Sequence, residues 1–443
     1  MMIPSSLIFD QSTLLALLEH DPVVQEYRAF FSLLDWSVVE QWQAQRSVYC
    51  DTHGHPICAY LKAFLIRIRE GMIYTTQLCS FLRQHPLLII ELGFHLHLDP
   101  TTAYGFDVEK TLPCRHWFAQ KLRTLDPALL QGLLHATVRD LKEEIPGLGE
   151  VVAFDVKHIY AWVKENNERT YVKDRYDKTH RLAGDPDCRL GVKRSSNQEQ
   201  PDGSTTEKKE YVWGYGSGVA AATTPDYGDV VLAEYTQPFN ENDITYFRSL
   251  YERTVLALEQ FPTHIAADAA FDAWYVYERA AWQNGIAAVP LNGHGHHDGS
   301  RDRDGVPICA KGLRMLPSFH FAHTHGYRAQ RFVCPLLFPQ PTGEVCDHEQ
   351  FLKGKGCQKD PNWEAGGLMR VTLDRESPLY KAIYTQRTCC ERINSQAKEL
   401  GIERPKVHNG RSVANLNTLI YMCINVRALQ RAKSINKGLL QMN

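Results

Sequence analysis

Near the C-terminal end, the stretch LYKAIYTQRTCCERINSQAKEL gathers residue types that could do chemistry at helical spacing. Ser377-Pro378 reads as a helix start, Ser as N-cap and Pro at the first position, and Gly401 as a natural stop. On one helix turning about 100° per residue, with Tyr384 at zero, Arg387, Glu391 and Lys398 fall at about 300°, 340° and 320°. Leu379, Ile383, Cys390, Ile393, Ala397 and Leu400 gather at about 160–260°. One stripe therefore packs, and the other presents a carboxylate among two cations and a phenol. Such a face suits a site for a metal ion or an anionic group; the plain alternative is a solvated charged stripe with i,i+4 pairs.

Tyr384, two residues, Arg387, three residues, Glu391, six residues, Lys398: this string resembles the YREK signature of bacterial insertion-sequence DDE transposases in all four residue types and all three spacings. The resemblance implies two further carboxylates upstream, on strands. Asp155 sits within VVAFDVKH, where an ionisable group between Phe154 and Val156 is costly without a role or partner. Asp268 ends the run HIAAD, with Asp272 four residues later as its competitor. The spacings, 268 − 155 = 113 and 391 − 268 = 123 residues, leave room for strands and for an insertion before the last carboxylate. The resemblance covers about residues 151–430; His55-Pro56, leading into an apolar helix pair, is similar to the N-terminal region of the same enzymes.

What this implies is phosphodiester cleavage and strand transfer with two metal ions, held by Asp155, Asp268 and Glu391. Mg²⁺, with Mn²⁺ as a substitute, prefers the oxygen ligands that three carboxylates supply. Arg387 and Lys398 would grip phosphates flanking the scissile bond, and Tyr384 would contact a phosphate or stack on a base. The implied partners are double-stranded DNA, both transposon ends and target, with the chain acting as a homodimer or larger assembly and no membrane. Two alternatives stay open: a nuclease of the same fold that does not join strands, and a decayed or domesticated copy that binds DNA without cutting it.

The elements that must position these residues read as follows. Residues 1–147 are mostly helical, with helices expected from Pro56 to about Glu70, from Thr75-Thr76 onward, and from Pro127 to Glu144. They read as a probable DNA-binding region, through a helix-turn-helix-like arrangement, or as a packing bundle. Residues 148–291 form the first part of an α/β core. Strands are expected at Val151–Val163, Tyr211–Thr223, Asp229–Tyr235, HIAADAAF and AAVPL, with helices after Asn242-Asp243 and from Trp274 to Asn284. Residues 164 to about 209 read as a polar loop-like excursion. The order strand, strand, strand, helix, strand, helix, strand is that of a ribonuclease H-like mixed sheet flanked by helices. Residues 292–376 read as an insertion subdomain or loop, and 377–443 as the C-terminal catalytic helix and the helices after it. Asp243 resembles an acid near the site in these enzymes, and a helix cap explains it as well.

Twelve cysteines, including the adjacent Cys389 and Cys390, suggest reduced thiols. Cys309, Cys334, Cys346 and Cys357, with His348 close by, could hold a structural Zn²⁺, although no CxxC pair is present. The run Gly293-His294-Gly295-His296-His297-Asp298 reads as a polar loop. No signal peptide and no membrane span is expected, so the chain is expected in the cytoplasm of a bacterium, associated with the nucleoid. The formal net charge of −2 does not announce a DNA binder, so any basic surface must be local; Arg387, Arg392, Lys398, Arg404, Lys406 and Arg411 are expected to form a groove.

Overall fold

Apolar residues at helical spacing dominate the first third of the chain, and the computed structural model folds that third into helices. The structure describes residues 11–45, 54–199, 205–292 and 300–442, so the histidine run at 293–298 lies outside the described residues. Helices α1 (Gln11–His20), α2 (Pro22–Phe31), α3 (Ser37–Ala44), α4 (Ile57–Arg69), α5 (Thr75–Gln84), α6 (Pro86–Leu92), α7 (Val108–Thr111), α8 (Arg115–Thr124) and α9 (Pro127–Glu144) precede the first strand. The boundaries follow local chemistry. Asp126 caps α9 by accepting the Ala128 N–H, with Pro127 at its first position. Gly71, at φ +62, ends the turn after α4 where a Cβ would be strained. α4 buries nine residues, from Ala59 to Ile68; each large aliphatic among them contributes about 1.5–3 kcal/mol.

The remaining elements alternate. They are β1 (Val151–Tyr160), β2 (Arg189–Glu199), β3 (Thr205–Thr224), β4 (Gly228–Pro238), α10 (Ile244–Leu258), β5 (His264–Ala267), α11 (Trp274–Ala281), β6 (Ala287–Ala288), β7 (Leu316–Ala322), β8 (Arg328–Val333), α12 (Glu349–Leu352), β9 (Gln358–Lys359), α13 (Ala365–Thr372), α14 (Pro378–Thr385), α15 (Thr388–Glu399) and α16 (Gly410–Met442). The larger sheet has the order β2-β3-β1-β5-β6, with β4 paired to β3. β3 is antiparallel to β2 and to β4, whereas β1, β5 and β6 run parallel. The protein is thus mixed α/β, with a mixed sheet and flanking helices. A smaller sheet, β7-β8-β9, is antiparallel.

Internal contacts divide the chain into two units. The first is Met1–Gly149, Asp155–Gln260 and Thr388–Asn443; the second is Glu150–Phe154 and Phe261–Arg387. At the centre of the first unit lies α16, whose run Leu419 to Ile424 is buried all round, as a helix that is apolar on every side must be. Asn425 on this helix is buried too, and its amide accepts the Val231 N–H (2.9 Å) and donates to the Val231 carbonyl (2.8 Å). It thereby satisfies backbone groups beside the β3–β4 register shift at Ala220/Ala221.

Two expectations need correction. The excursion at 164–209 contains β2, which pairs with the N-terminal half of β3. Its sequence, RLGVKRSSNQE, carries no apolar alternation to announce a strand, and its pairing with β3 is what defines it. The stretch 292–376, which reads as subdomain or loop, contains β7, β8, α12, β9 and α13 among its described residues. Finally, the helix expected from Ser377 to Gly401 is two helices. Its start is as read, with Ser377 Oγ accepting the Tyr380 N–H, and it ends at Gly401, φ +92. At Gln386 and Arg387, however, the N–H groups turn back to Ile383 and Tyr384, three residues earlier. Thr385 Oγ1 donates to the Lys381 carbonyl at 2.7 Å, a back-bond that bends helices at such residues.

Candidate active site

Within the first unit, Asp155 and Glu391 line one cleft of about 400 Å³. Asp155 projects from β1 and Glu391 is exposed on the first turn of α15. Asn394, one turn after Glu391 and 8 % exposed, donates from Nδ2 to Asp155 Oδ2 at 2.9 Å. A buried amide thus fixes the orientation of the carboxylate, the arrangement by which outer groups hold a ligand ready. Lys398 Nζ lies 3.3 Å from Glu403 Oε2 and Lys157 Nζ lies 3.5 Å from the same oxygen. Burial opposes ionisation of Glu403, but Lys157 and Lys398 outweigh it and hold the carboxyl below its usual range. Lys193 and His158 also line the cleft.

Replacing Asn394 with Ala is expected to release Asp155 and to slow any metal-dependent reaction at this cleft about 10–100-fold, with DNA affinity unchanged. Equal rates for variant and wild type would show that the contact does no positioning.

His158 lies against the Phe239 ring, with centroids 4.4 Å apart. Burial, reinforced by Lys193 and Lys157, pushes its imidazole down to about 4. The unfolded chain takes up this proton at about pH 6.5 and the folded chain only near pH 4, so stability falls as pH drops through that window. On the order of 3 kcal/mol is at stake by pH 4. Melting curves between pH 7.5 and pH 4.5 should show a steeper loss for wild type than for His158→Gln, and parallel losses would argue against a shifted His158.

In the second unit, β5 runs parallel to β1, with Phe154 paired to Ala267. Asp155 and Asp268 are the next residues along each chain. The Asp268 carboxylate accepts the Ala270 N–H at 2.9 Å, capping a short turn. Asp272 is differently placed. Its side chain is fully shielded and accepts two bonds from Arg370, Nε at 2.8 Å and Nη2 at 2.7 Å, together with the Asn292 N–H and the Tyr277 hydroxyl. Burial would raise its carboxyl, but the Arg370 pair and these donors hold it below the usual range. A carboxylate so engaged is a structural anchor, which leaves Asp268 as the candidate ligand.

Tyr384 and Arg387 belong to this unit, with the Arg387 guanidinium 5.9 Å from the Tyr384 ring centroid. Tyr384 lies on α14 and Glu391 and Lys398 on α15, so the four signature residues do not belong to one unbroken helix.

The residues expected to form a basic groove divide by partner. Arg392 grips Asp229 with two bonds, Nε at 2.7 Å and Nη2 at 2.6 Å. Arg411 donates to the Leu125 carbonyl at 3.4 Å. Arg404 covers the Tyr160 ring at 4.3 Å and Lys406 the Trp162 ring at 5.5 Å. Cys309, Cys334, Cys346 and Cys357 share one buried cluster with Val306, Met315, Phe332 and Leu336. His348 Nδ1 is 3.5 Å from Cys357 Sγ. Among the described residues no three His, Cys, Asp or Glu side chains form a group ready to hold a metal ion, and the four cysteines are buried and free of disulfides. Burial pushes the Cys357 thiol up, and the nearby Cys334, Cys309 and Cys346 add to the shift.

Sequence reasoning missed Asn394, Lys157 and Glu403. Asn394 was findable as the residue one turn after Glu391, and Lys157 as the residue two after Asp155 on the same strand face; nothing local marked Glu403, which reaches the cleft only through the fold.

No protein-family model matches this chain, and no curated protein matches it either. Among the described residues, no helix is long and apolar enough to cross a membrane.

Proposed function

We propose that this chain is a DNA transposase with a ribonuclease H-like core, cutting DNA at the ends of its own mobile element and joining them to target DNA. The observation that carries the reading is the pairing of Asp155 with Glu391 at one cleft, where Glu391 belongs to the YREK string and Asn394 orients Asp155. Two further features support it. β4 lies beside β3, then come β1 and the parallel strands β5 and β6, the strand neighbours such a core requires. Asp155 and Asp268 each follow the last registered pair of the β1–β5 ladder.

The donor chemistry fits Mg²⁺, since the Asp155 and Glu391 carboxylates line the cleft and no thiol is among its described lining residues. Asp155, Asp268 and Glu391 would hold the ions, which when bound supply Lewis-acid stabilisation and an activated water or 3′-hydroxyl. Lys398 and Lys157, now on Glu403, are the cations that would meet phosphates. Arg387 and Tyr384 serve the same substrate in this reading. The partners are transposon ends and target duplex, with the chain acting as a dimer or larger assembly in a bacterial cytoplasm.

Strand transfer separates this reading from a nuclease of the same fold. Precleaved element ends bearing a 3′-hydroxyl, incubated with the protein, Mg²⁺ and a target plasmid, should yield joined products. Hydrolysis without joining would leave only the nuclease.

A further inference from the structure

The first unit holds a second, larger cavity of about 1010 Å³, formed by α4, α5, α8 and the segment entering α16. Arg115, Arg123 and Lys406 line it with His116 and His408, and no Asp or Glu stands among its described lining residues. In a chain whose acids outnumber its bases, 51 to 49, such segregation of charge is local and specific.

Arg67 forms part of the wall. It is 4 % exposed, and its guanidinium donates to the Met72 carbonyl at 3.2 Å and the Ile73 carbonyl at 2.6 Å. Burial alone depresses it to about 10, with no carboxylate offsetting the charge. A buried cation without a countercharge is costly, and an anion in the cavity would relieve it. The N-termini of α5 and α8 meet the same space through Thr75, Thr76 and Arg115, adding the positive ends of two helix dipoles. α16 also starts here, although Asp187 accepts its Gly410 N–H at 3.0 Å.

Aromatic surface accompanies the charge. Trp162 is 42 % exposed and stacks with His408, centroids 4.8 Å apart and planes 13° from parallel, with the Lys406 ammonium over the indole. Basic groups that track a backbone, set beside an aromatic platform, form the combination that holds unpaired nucleotides; a duplex keeps its bases stacked inside and offers such a platform little.

We propose that this cavity binds a single-stranded stretch of DNA, with backbone phosphates at Arg115, Arg123 and Lys406 and a base added to the Trp162–His408 stack. The inference rests on the reading of the chain as an enzyme that handles DNA, and it assigns a strand-holding role to a cavity that shares no lining residue with the carboxylate cleft.

The test is fluorescence anisotropy of the full chain with a labelled oligothymidine and with a duplex of equal length, over a salt series. Wild type should bind the single strand. The combined Arg115→Gln, Arg123→Gln, Lys406→Gln variant should bind at least about tenfold more weakly, with a salt slope lower by about 2, near 0.7 for each of three lost phosphate contacts. Trp162→Ala should weaken binding about tenfold or more and leave the slope unchanged. Melting curves matching wild type show that the variants fold, and Lys406→Glu, a single change at a part-exposed position, repeats the charge test should the combined variant fail. The proposal is overturned if wild type does not bind the oligonucleotide, if the charge variants keep its affinity and slope, or if Trp162→Ala binds as wild type does. Cleavage at element ends is scored separately. Cutting with unchanged oligonucleotide binding in the variants removes this site alone, whereas lost binding in a chain that never cuts upholds the cavity and removes the transposase reading.

Discussion

Asp155→Ala is expected to bind element-end DNA about as wild type does and to cut it about a thousandfold more slowly, or worse. The size follows from the several kcal/mol of charge stabilisation that a held metal supplies, at about 1.4 kcal/mol per tenfold in rate. Asp155 is the residue to test because two independent constraints meet on it. It stands on a strand between Phe154 and Val156, where an ionisable group needs a partner, and the partner is the buried amide of Asn394 on the helix that carries Glu391. A loss in Asp155→Ala much larger than in Asn394→Ala is therefore predicted, since the first removes the ligand and the second only its orientation. Binding lost along with cutting in Asp155→Ala would instead make the residue part of the fold.

The second large effect separates Asp268 from Asp272. Arg370→Ala would leave the Asp272 carboxylate shielded from solvent with only the Asn292 N–H and the Tyr277 hydroxyl named among its remaining donors. Removing one partner of a buried pair costs about 3–5 kcal/mol, and the 30 % exposure of the Arg370 side chain moves the expectation to about 2–3 kcal/mol. Urea unfolding should register this as a lowered midpoint, and Asp272→Ala should behave likewise. Asp268→Ala should keep the wild-type midpoint, apart from a small loss for its turn-capping bond, and yet fail to cut DNA. Normal cutting by Asp268→Ala, with a stable but inactive Asp272→Ala, would transfer the second carboxylate to Asp272.

Two helix starts read from the sequence are where the structure has them, whereas Asp243, read as a cap, makes no side-chain capping bond to α10. α9 falls on Pro127–Glu144, and Ser377-Pro378 begins α14. β1, β3, β4, β5 and β6 lie within a few residues of the apolar runs that announced them. Misreadings arose where tertiary partners replace local signals. β2 has a polar sequence with no alternating period, and only its pairing with β3 reveals it as a strand. The helix break at Gln386–Arg387 was hidden because Thr385 and Thr388 do not interrupt an amphipathic pattern; beside it the Thr385 hydroxyl bonds back to the Lys381 carbonyl, a contact that competes with regular helix. The site shows the same division. Asp155 and Glu391 could be singled out by residue type and spacing, whereas Glu403 and Lys157 meet only after β1 and the segment after Gly401 have been placed. Arg392, expected in a basic groove, turns to Asp229 because a bidentate pair with a shielded carboxylate outcompetes solvent.

The most direct measurement is cleavage of a DNA fragment carrying the gene's own flanking sequences, with Mg²⁺, by wild type and by Glu391→Ala. Wild type should cut at the element ends, and the variant should bind the same fragment without cutting it. Equal cutting by both would remove Glu391 from the chemistry and the carboxylate site with it, and binding without cutting by either would identify a DNA-binding protein that has lost its catalysis.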